Sequence, residues 1–257
     1  MAFINELNLQ NVLLLLAGGM AAGFINTLVG SGSAITLGLF SFMGLPSPIA
    51  NGTNRIGVLV QSIVGFLSFK KYQTIAWKSY LDLLILSVAG AWLGAQLAAY
   101  LDARQLDVAL GVLMFLLFLW VWLKPQKWLK TQDEAVNFPR WLRYLIFFGI
   151  GVYGGFIQAG VGVLIMAAMV ATMGKELKQA NILKLLMVLC FTVPSLIVFI
   201  AHHQVNFVYG IWVAIGQSIG AYGAAGFANK VPRANEYIRY LLLLVLLVAS
   251  IKFLHFW

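Results

Sequence analysis

Eight long apolar runs divide this sequence, and they constrain the fold more than any other feature. They fall at about 11–29, 48–69, 79–101, 105–123, 139–158, 178–201, 207–228 and 237–256, with two shorter runs at about 33–45 and 163–174. Runs of about 20 apolar residues match the hydrocarbon thickness of a bilayer. Only 10% of the chain is charged, against about a quarter in soluble domains, and 61% is hydrophobic. A soluble domain could not bury that much apolar surface, so the expected fold class is all-α and integral to a membrane. Membrane β-barrels need alternating segments of about 10 residues, and the continuous run "YLLLLVLLVASIKFL" excludes them.

The formal charge of +9 does not indicate nucleic acid, because the basic residues sit in short loops between apolar runs. Cytoplasmic loops of membrane proteins carry such an excess. Lys70, Lys71 and Lys78 flank one loop, Lys124, Lys127, Lys130, Arg140 and Arg143 mark another, and Lys230, Arg233 and Arg239 a third. The alternate loops, "DARQLD" (102–107) and "AHHQVN" (201–206), are acidic or neutral. With the basic loops inside, both termini lie outside. The start, "MAFINELNLQ", lacks a basic signal-peptide head, so the first helix is expected to be retained.

The two halves of the chain resemble each other. A shift of 130 residues pairs Gly30 with Gly160, Gly32 with Gly162, Ile35 with Ile165 and Met43-Gly44 with Met173-Gly174. It also pairs Ala50-Asn51 with Ala180-Asn181, Val58-Leu59 with Val188-Leu189, and Gly90-Ala91 with Gly220-Ala221. "GFIN" (23–26) falls over "GFIQ" (155–158) at a slightly different offset. The loop at 70–78 is then inside while its counterpart at 202–206 is outside, which inverts one half relative to the other. The expectation is an inverted-topology repeat of two five-segment halves, residues 1–123 and 141–257, joined by a cytoplasmic loop at 124–140. Each half would hold four full spans and one short, broken or re-entrant helix, with N-out and C-out ends. Inverted repeats with interrupted helices at matching places are the pattern of secondary transporters.

Each short run begins at a break, "VGSGSA" (29–34) or "AGVGVL" (159–164). A broken helix leaves unpaired backbone groups that lipid cannot satisfy, so the breaks belong in a protected cavity. Helix N-termini at Ser33 and Val163 would point inward, where free N–H groups and the positive dipole end favour an anion. Ser31 and Ser33 could add hydroxyl donors, and Asn26 and Gln158 are matched polar residues beside the breaks. Tight packing of small residues accounts for the glycines equally well.

Asn51, Asn54 and Arg55 follow the first break, Asn51 and Arg55 on one helical face; Asn181 and Lys184 follow the second. An ionisable residue inside a membrane helix marks a functional site by default. Snorkelling to the interface is the competing account for Arg55 and Lys184. Gln61 and Gln217 fit either a path lining or an interhelical bond. His202 and His203 suit the outer interface, Asp82 a loop edge, and Cys190 a small core position. The scattered Trp residues suit an interfacial belt. No phosphate-binding loop and no metal-spaced Cys/His cluster occurs, and "VGSG" lacks the first glycine of an intramembrane serine protease motif, so an enzyme is not expected.

The broken helix, the stretch "PSPIANGTNRIGVLVQSIVGFLSFKKY", the "GAWLGAQLA" helix and the repeated "GFIN…GSGS" and "GFIQ…GVG" elements resemble the sulfite exporter TauE/SafE family of bacterial membrane permeases, over about residues 10–256. The resemblance implies a multi-pass protein of the bacterial inner membrane that exports small sulfur anions, sulfite or organosulfonates, by a secondary mechanism. It implies no cofactor and allows proton coupling. By position it carries the site onto Asn26, Ser31, Ser33, Asn51, Asn54, Arg55, Gln158, Asn181 and Lys184. The expected partners are the anion and the lipid bilayer; a homodimer is compatible. An uptake permease for another anion, or a scaffold subunit, are the competing functions.

Overall fold

The computed structural model describes residues 8–71, 76–123, 138–174 and 177–227, together with the single positions 247 and 251. Every regular element among them is helical: α1 (Leu9–Leu28), α2 (Ser33–Phe42), α3 (Ser47–Lys70), α4 (Leu81–Ala99), α5 (Ala103–Leu123), α6 (Arg140–Phe156), α7 (Val161–Met173), α8 (Leu177–Ala201) and α9 (Phe207–Phe227). A single 3₁₀ turn, Trp77–Tyr80, leads into α4. Apart from positions 247 and 251, the expected last span at 237–256 lies outside the described residues, as do most of the linker loop and Lys124, Lys127, Lys130, Lys230, Arg233 and Arg239.

Local chemistry sets the helix ends. Asn8 caps α1 by accepting a 2.8 Å hydrogen bond from the Asn11 N–H on its side-chain oxygen. Pro46 and Pro139 stand at the N-caps of α3 and α6, where a missing N–H costs nothing. The matched Met-Gly pairs end the short helices: Gly44 and Gly174 take φ of +82° and +59°, the left-handed turn that glycine reaches without strain. α2 begins at Ser33 as expected; α7 begins at Val161, two residues before the expected Val163, because the left-handed turn at Gly160 restarts the helix at once.

Burial is inside-out relative to a soluble protein. Large apolar side chains such as Ile85, Trp92, Leu97, Leu145, Ile197 and Ile219 are exposed, while Asn51, Asn54, Ser62 and Gln217 are fully buried. That distribution suits a surface solvated by lipid. Among the described residues, three stretches are long and apolar enough to cross a membrane, Leu9–Leu28, Trp77–Ala99 and Gln179–Ala201. Polar residues on its buried face lower the mean hydropathy of α3, which is 24 residues long.

α3 and α8 pack against each other, α1 lies along α9, α4 lies along α6, α3 also meets α9, and α4 also meets α8. Exchanging α1 with α6, α3 with α8 and α4 with α9 reproduces this set of contacts. The two peripheral pairs use small residues in the same way. A Cβ on Gly23 or Gly220 would lie 2.1 and 2.0 Å from the carbonyls of Gln217 and Met20, and one on Gly94 or Gly155 would lie 1.9 and 2.0 Å from those of Val152 and Ala91. Backbones therefore touch where only glycine fits, the close approach by which membrane helices associate without a hydrophobic driving force.

Candidate functional site

The two breaks meet. α1 ends at Leu28 and α2 begins at Ser33; α6 ends at Phe156 and α7 begins at Val161. Gly30 (φ +90°) accepts a hydrogen bond on its carbonyl from the Gly162 N–H, 3.2 Å away. A Cβ on either glycine would lie within 2.5 Å of the other's Cα. Sequence reasoning placed both breaks in one protected region, and the structure brings them into backbone contact.

The last carbonyls of a helix have no partner within it. At the end of α1, the Ile25 carbonyl accepts from the Val29 N–H at 2.8 Å. The next two carbonyls, of Asn26 and Thr27, both accept from the Lys184 ammonium, at 3.0 and 2.9 Å. At the end of α6, the Tyr153 carbonyl accepts from the Ile157 N–H at 3.0 Å. The next two, of Gly154 and Gly155, accept from the Arg55 guanidinium at 2.5 and 2.8 Å. Counted back from the last helical residue, the two cations take the same pair of carbonyls, second-last and third-last. Asn51 donates to the final carbonyl, Phe156, at 2.7 Å, and its oxygen accepts from Arg55 at 3.2 Å. Arg55 also lies 5.2 Å from the ring centre of Phe199.

This geometry revises the sequence expectation for the cations. Arg55 is 0% and Lys184 1% exposed, so neither snorkels to an interface. Their charged heads bond the negative C-terminal end of the long helix before the break in the other half of the chain, where a cation is stabilised, while the Lys184 stem also lies against the start of α7, 2.9 Å from a Cβ built on Gly162. The sequence fell short here because the pairing joins α3 to α6 and α8 to α1, and neither partner can be read from local spacing.

The N-terminal ends of the short helices are also engaged. Asn26 accepts from the Gly32 N–H at 3.1 Å and donates to Ser33 Oγ at 3.4 Å, so it caps α2 from the end of α1. Gln158 holds φ +68° and donates through Nε2 to Thr192 Oγ1 at 2.7 Å. The Tyr153 hydroxyl bridges the second break by donating to the Ala159 carbonyl at 2.5 Å. The Asn54 side-chain oxygen accepts from the Thr36 hydroxyl at 2.5 Å.

A small cavity, about one water molecule in size, opens beside the glycine contact. Its polar lining is Lys184, Asn26, Gln158, Gln61 and Ser62; Val58, Val161, Leu185 and Val188 form its apolar wall. Several buried polar atoms lack a hydrogen-bond partner: Gln61 Oε1, Ser62 Oγ and Gln158 Oε1 at the cavity, and Ser31 Oγ, Asn54 Nδ2, Asn181 Oδ1 and Arg55 Nε elsewhere. Of the nine residues expected from sequence, Asn26, Gln158 and Lys184 line the cavity; Ser31, Ser33, Asn51, Asn54, Arg55 and Asn181 are buried but do not line it. Ser62 was missed, although its unbroken polar pairing with Gln61 in an apolar helix was a readable signal. Among the described residues no cluster of His, Cys, Asp or Glu could hold a metal ion.

Relatives place this chain among membrane transporters. The family model "Sulfite exporter TauE/SafE" matches residues 15–253. The chain is 27% identical over 240 residues to a "Probable membrane transporter protein ORF9" from Sinorhizobium sp., covering 93% of this chain and 91% of that one. It is 26% identical over 237 residues to the "Probable membrane transporter protein YfcA" of Escherichia coli K12, covering 92% and 87%. A third relative, "Probable membrane transporter protein YunE" of Bacillus subtilis, is 22% identical over 245 residues, 86% of this chain and 90% of that one. No solved structure matches the chain. With nearly its whole length matched by the family model, the chain belongs to the sulfite exporter TauE/SafE family of membrane transporters.

Proposed function

We propose that this transporter exports a small sulfur-containing anion, sulfite or an organosulfonate, across a bacterial inner membrane by alternating access. The observation that carries the proposal is the pair of buried cations at two helix breaks that touch. A buried ionised side chain at membrane depth costs about 2.5–3.5 kcal/mol on insertion scales. Carbonyl bonds offset part of that; the attraction of an anion would offset more. The family's description supports sulfite as the first anion to test.

Alternating access follows from reading the halves as inverted repeats, 1–123 and 141–257. The exchange of contacts between α1, α3, α4 and α6, α8, α9 supports that reading. In such folds one half rocks or gates against the other around a fixed midplane site. Ser31, Ser33, Asn51, Asn54, Arg55 and Asn181 would surround and brace the site that Asn26, Gln158 and Lys184 line.

The test is flux by the purified protein alone in proteoliposomes loaded with sulfite or methanesulfonate under an outward gradient. Saturable efflux above protein-free vesicles is expected. Absence of flux in either direction overturns the proposal, and flux that needs a partner chain assigns a scaffold role instead. Reversing the gradient distinguishes an exporter from an uptake permease.

A further inference from the structure

The two breaks carry matching residues but not matching bonds. Asn26 corresponds to Gln158, Gly30 to Gly160, Gly32 to Gly162 and Ser62 to Thr192. In the second half, Gln158 Nε2 donates to Thr192 Oγ1 at 2.7 Å. In the first, the hydroxyl at the corresponding place, Ser62 Oγ, is fully buried and has no partner, because Asn26 is turned to the Gly32 N–H and Ser33. The asymmetry also runs the other way. Asn26 Oδ1 holds the Gly32 N–H at 3.1 Å, while the Gly162 N–H crosses to the Gly30 carbonyl and Gln158 Oε1 has no partner. The helix starts follow the same division: α7 begins at Val161, whereas α2 begins at Ser33, which corresponds to Val163. Both orphaned atoms, Ser62 Oγ and Gln158 Oε1, are thus counterparts of atoms bonded in the other half. Asn26, Ser62, Gln158 and Gly162 all line one cavity.

We infer that Asn26, Ser62, Gln158 and Thr192 form a two-position switch in which the halves exchange these bonds during transport. The inference rests on the inverted-repeat, alternating-access reading and says which bonds change. Where two repeats are related by an axis in the membrane plane, an arrangement unequal between them is one-sided. Exchanging the roles of the halves gives the arrangement that faces the other side. There Asn26 Nδ2 donates to Ser62 Oγ, Gln158 Oε1 accepts the Gly162 N–H, and the Gly32 N–H crosses to the Gly160 carbonyl. α2 then starts two residues earlier and α7 two residues later, and Thr192 is the hydroxyl left over.

Buried polar atoms without partners are costly, and native structures keep few of them. Here the cost has a use. Each arrangement makes the same kinds of bond and strands one hydroxyl and one amide oxygen, so neither is strongly preferred and the exchange stays reversible. The four side chains are positioning residues: they act on the backbone of the breaks, and the switch requires none of them to touch the transported anion.

The two hydroxyls supply a test with opposite signs. Ser62→Ala removes the acceptor of the exchanged arrangement, and Thr192→Val that of the arrangement described. The probe is Val188→Cys in a Cys190→Ala background, at the cavity wall, labelled with a membrane-impermeant maleimide in right-side-out and inside-out membrane vesicles. The ratio of labelling from the two faces should shift about three- to tenfold in one direction for Ser62→Ala and in the opposite direction for Thr192→Val, the worth of one hydrogen bond. The double variant should return near the starting ratio. Ser62→Ala should unfold at the wild-type temperature or above, since its hydroxyl bonds nothing in the arrangement described. If Thr192→Val folds poorly, a shifted ratio at unchanged unfolding temperature in Ser62→Ala still supports the switch, and an unshifted one overturns it. Protein without flux and labelled from one face only in every variant overturns the transport reading and the switch together. Flux with shifts in the same direction, no shift, or a lowered unfolding temperature in Ser62→Ala overturns the switch alone.

Discussion

The Gly162 N–H donates to the Gly30 carbonyl across 3.2 Å, so at the two breaks the halves of the chain meet backbone to backbone. A methyl group has no place there. In Gly162→Ala the new Cβ would lie 2.5 Å from Gly30 Cα and 2.9 Å from Lys184 Cδ, and the backbone cannot yield as a side chain can. The expected cost is about 1–3 kcal/mol of overpacking, read as a lower unfolding temperature in detergent, with flux lost as well. Gly30→Ala should cost about 1–2 kcal/mol more, because φ +90° also disfavours any L side chain. Equal effects of the two substitutions would count against this reading.

Glycine contacts between α4 and α6 predict a contrast within one helix. Gly155→Ala puts a Cβ 2.0 Å from the Ala91 carbonyl, whereas a Cβ on Gly149 meets nothing within 4 Å. Gly155→Ala should destabilise by about 1–3 kcal/mol or more. Gly149→Ala should be neutral, or stabilising by up to about 1 kcal/mol through helix propensity. Thermal unfolding of the two purified variants in one detergent checks both at once.

Much of this architecture was legible before any coordinates. The apolar runs predicted α1 through α9 to within a few residues, because the demand for backbone hydrogen bonds in lipid leaves helix as the main solution. The Met-Gly pairs entered the sequence reading only as matches between the halves; in the structure they end α2 and α7 in left-handed turns, a local property of glycine. The cations and the polar residues beside the breaks stood out in the sequence as site candidates, and the structure buries them. Their bonding was not legible. Arg55 and Gly154 are 99 residues apart, Lys184 and Asn26 158 apart, and only the tertiary fold brings them together. A residue's charge says that it needs a partner in a membrane, but not which helix end supplies it.

Removal of either capping cation should be severe. Lys184→Met leaves the Asn26 and Thr27 carbonyls buried without donors, and Arg55→Ala does the same to Gly154 and Gly155. Each orphaned group costs about 1–3 kcal/mol, so either variant should lose a large share of its stability. Flux should be abolished or greatly weakened in both. Normal sulfite or methanesulfonate flux by Arg55→Ala in proteoliposomes would contradict the bracing role assigned to it.

Gln158 and Thr192 set two costs against each other. Gln158 is held at φ +68°, which costs a non-glycine residue about 1–2 kcal/mol. Gln158→Gly relieves that strain and removes the unpartnered Oε1, but forfeits the 2.7 Å bond from Nε2 to Thr192, worth about 0.5–1.5 kcal/mol. The two nearly cancel, so this variant should unfold within about 1 kcal/mol of the wild type. Thr192→Val keeps the shape of a fully buried side chain and leaves Gln158 Nε2 without its acceptor, with no relief of strain. That should cost about 1–3 kcal/mol. Thr192→Val is therefore expected to be the less stable of the two, although Gln158→Gly deletes far more of the side chain. The reverse order in a chemical or thermal unfolding series would show that the bend at Gln158 is not strained in the folded protein.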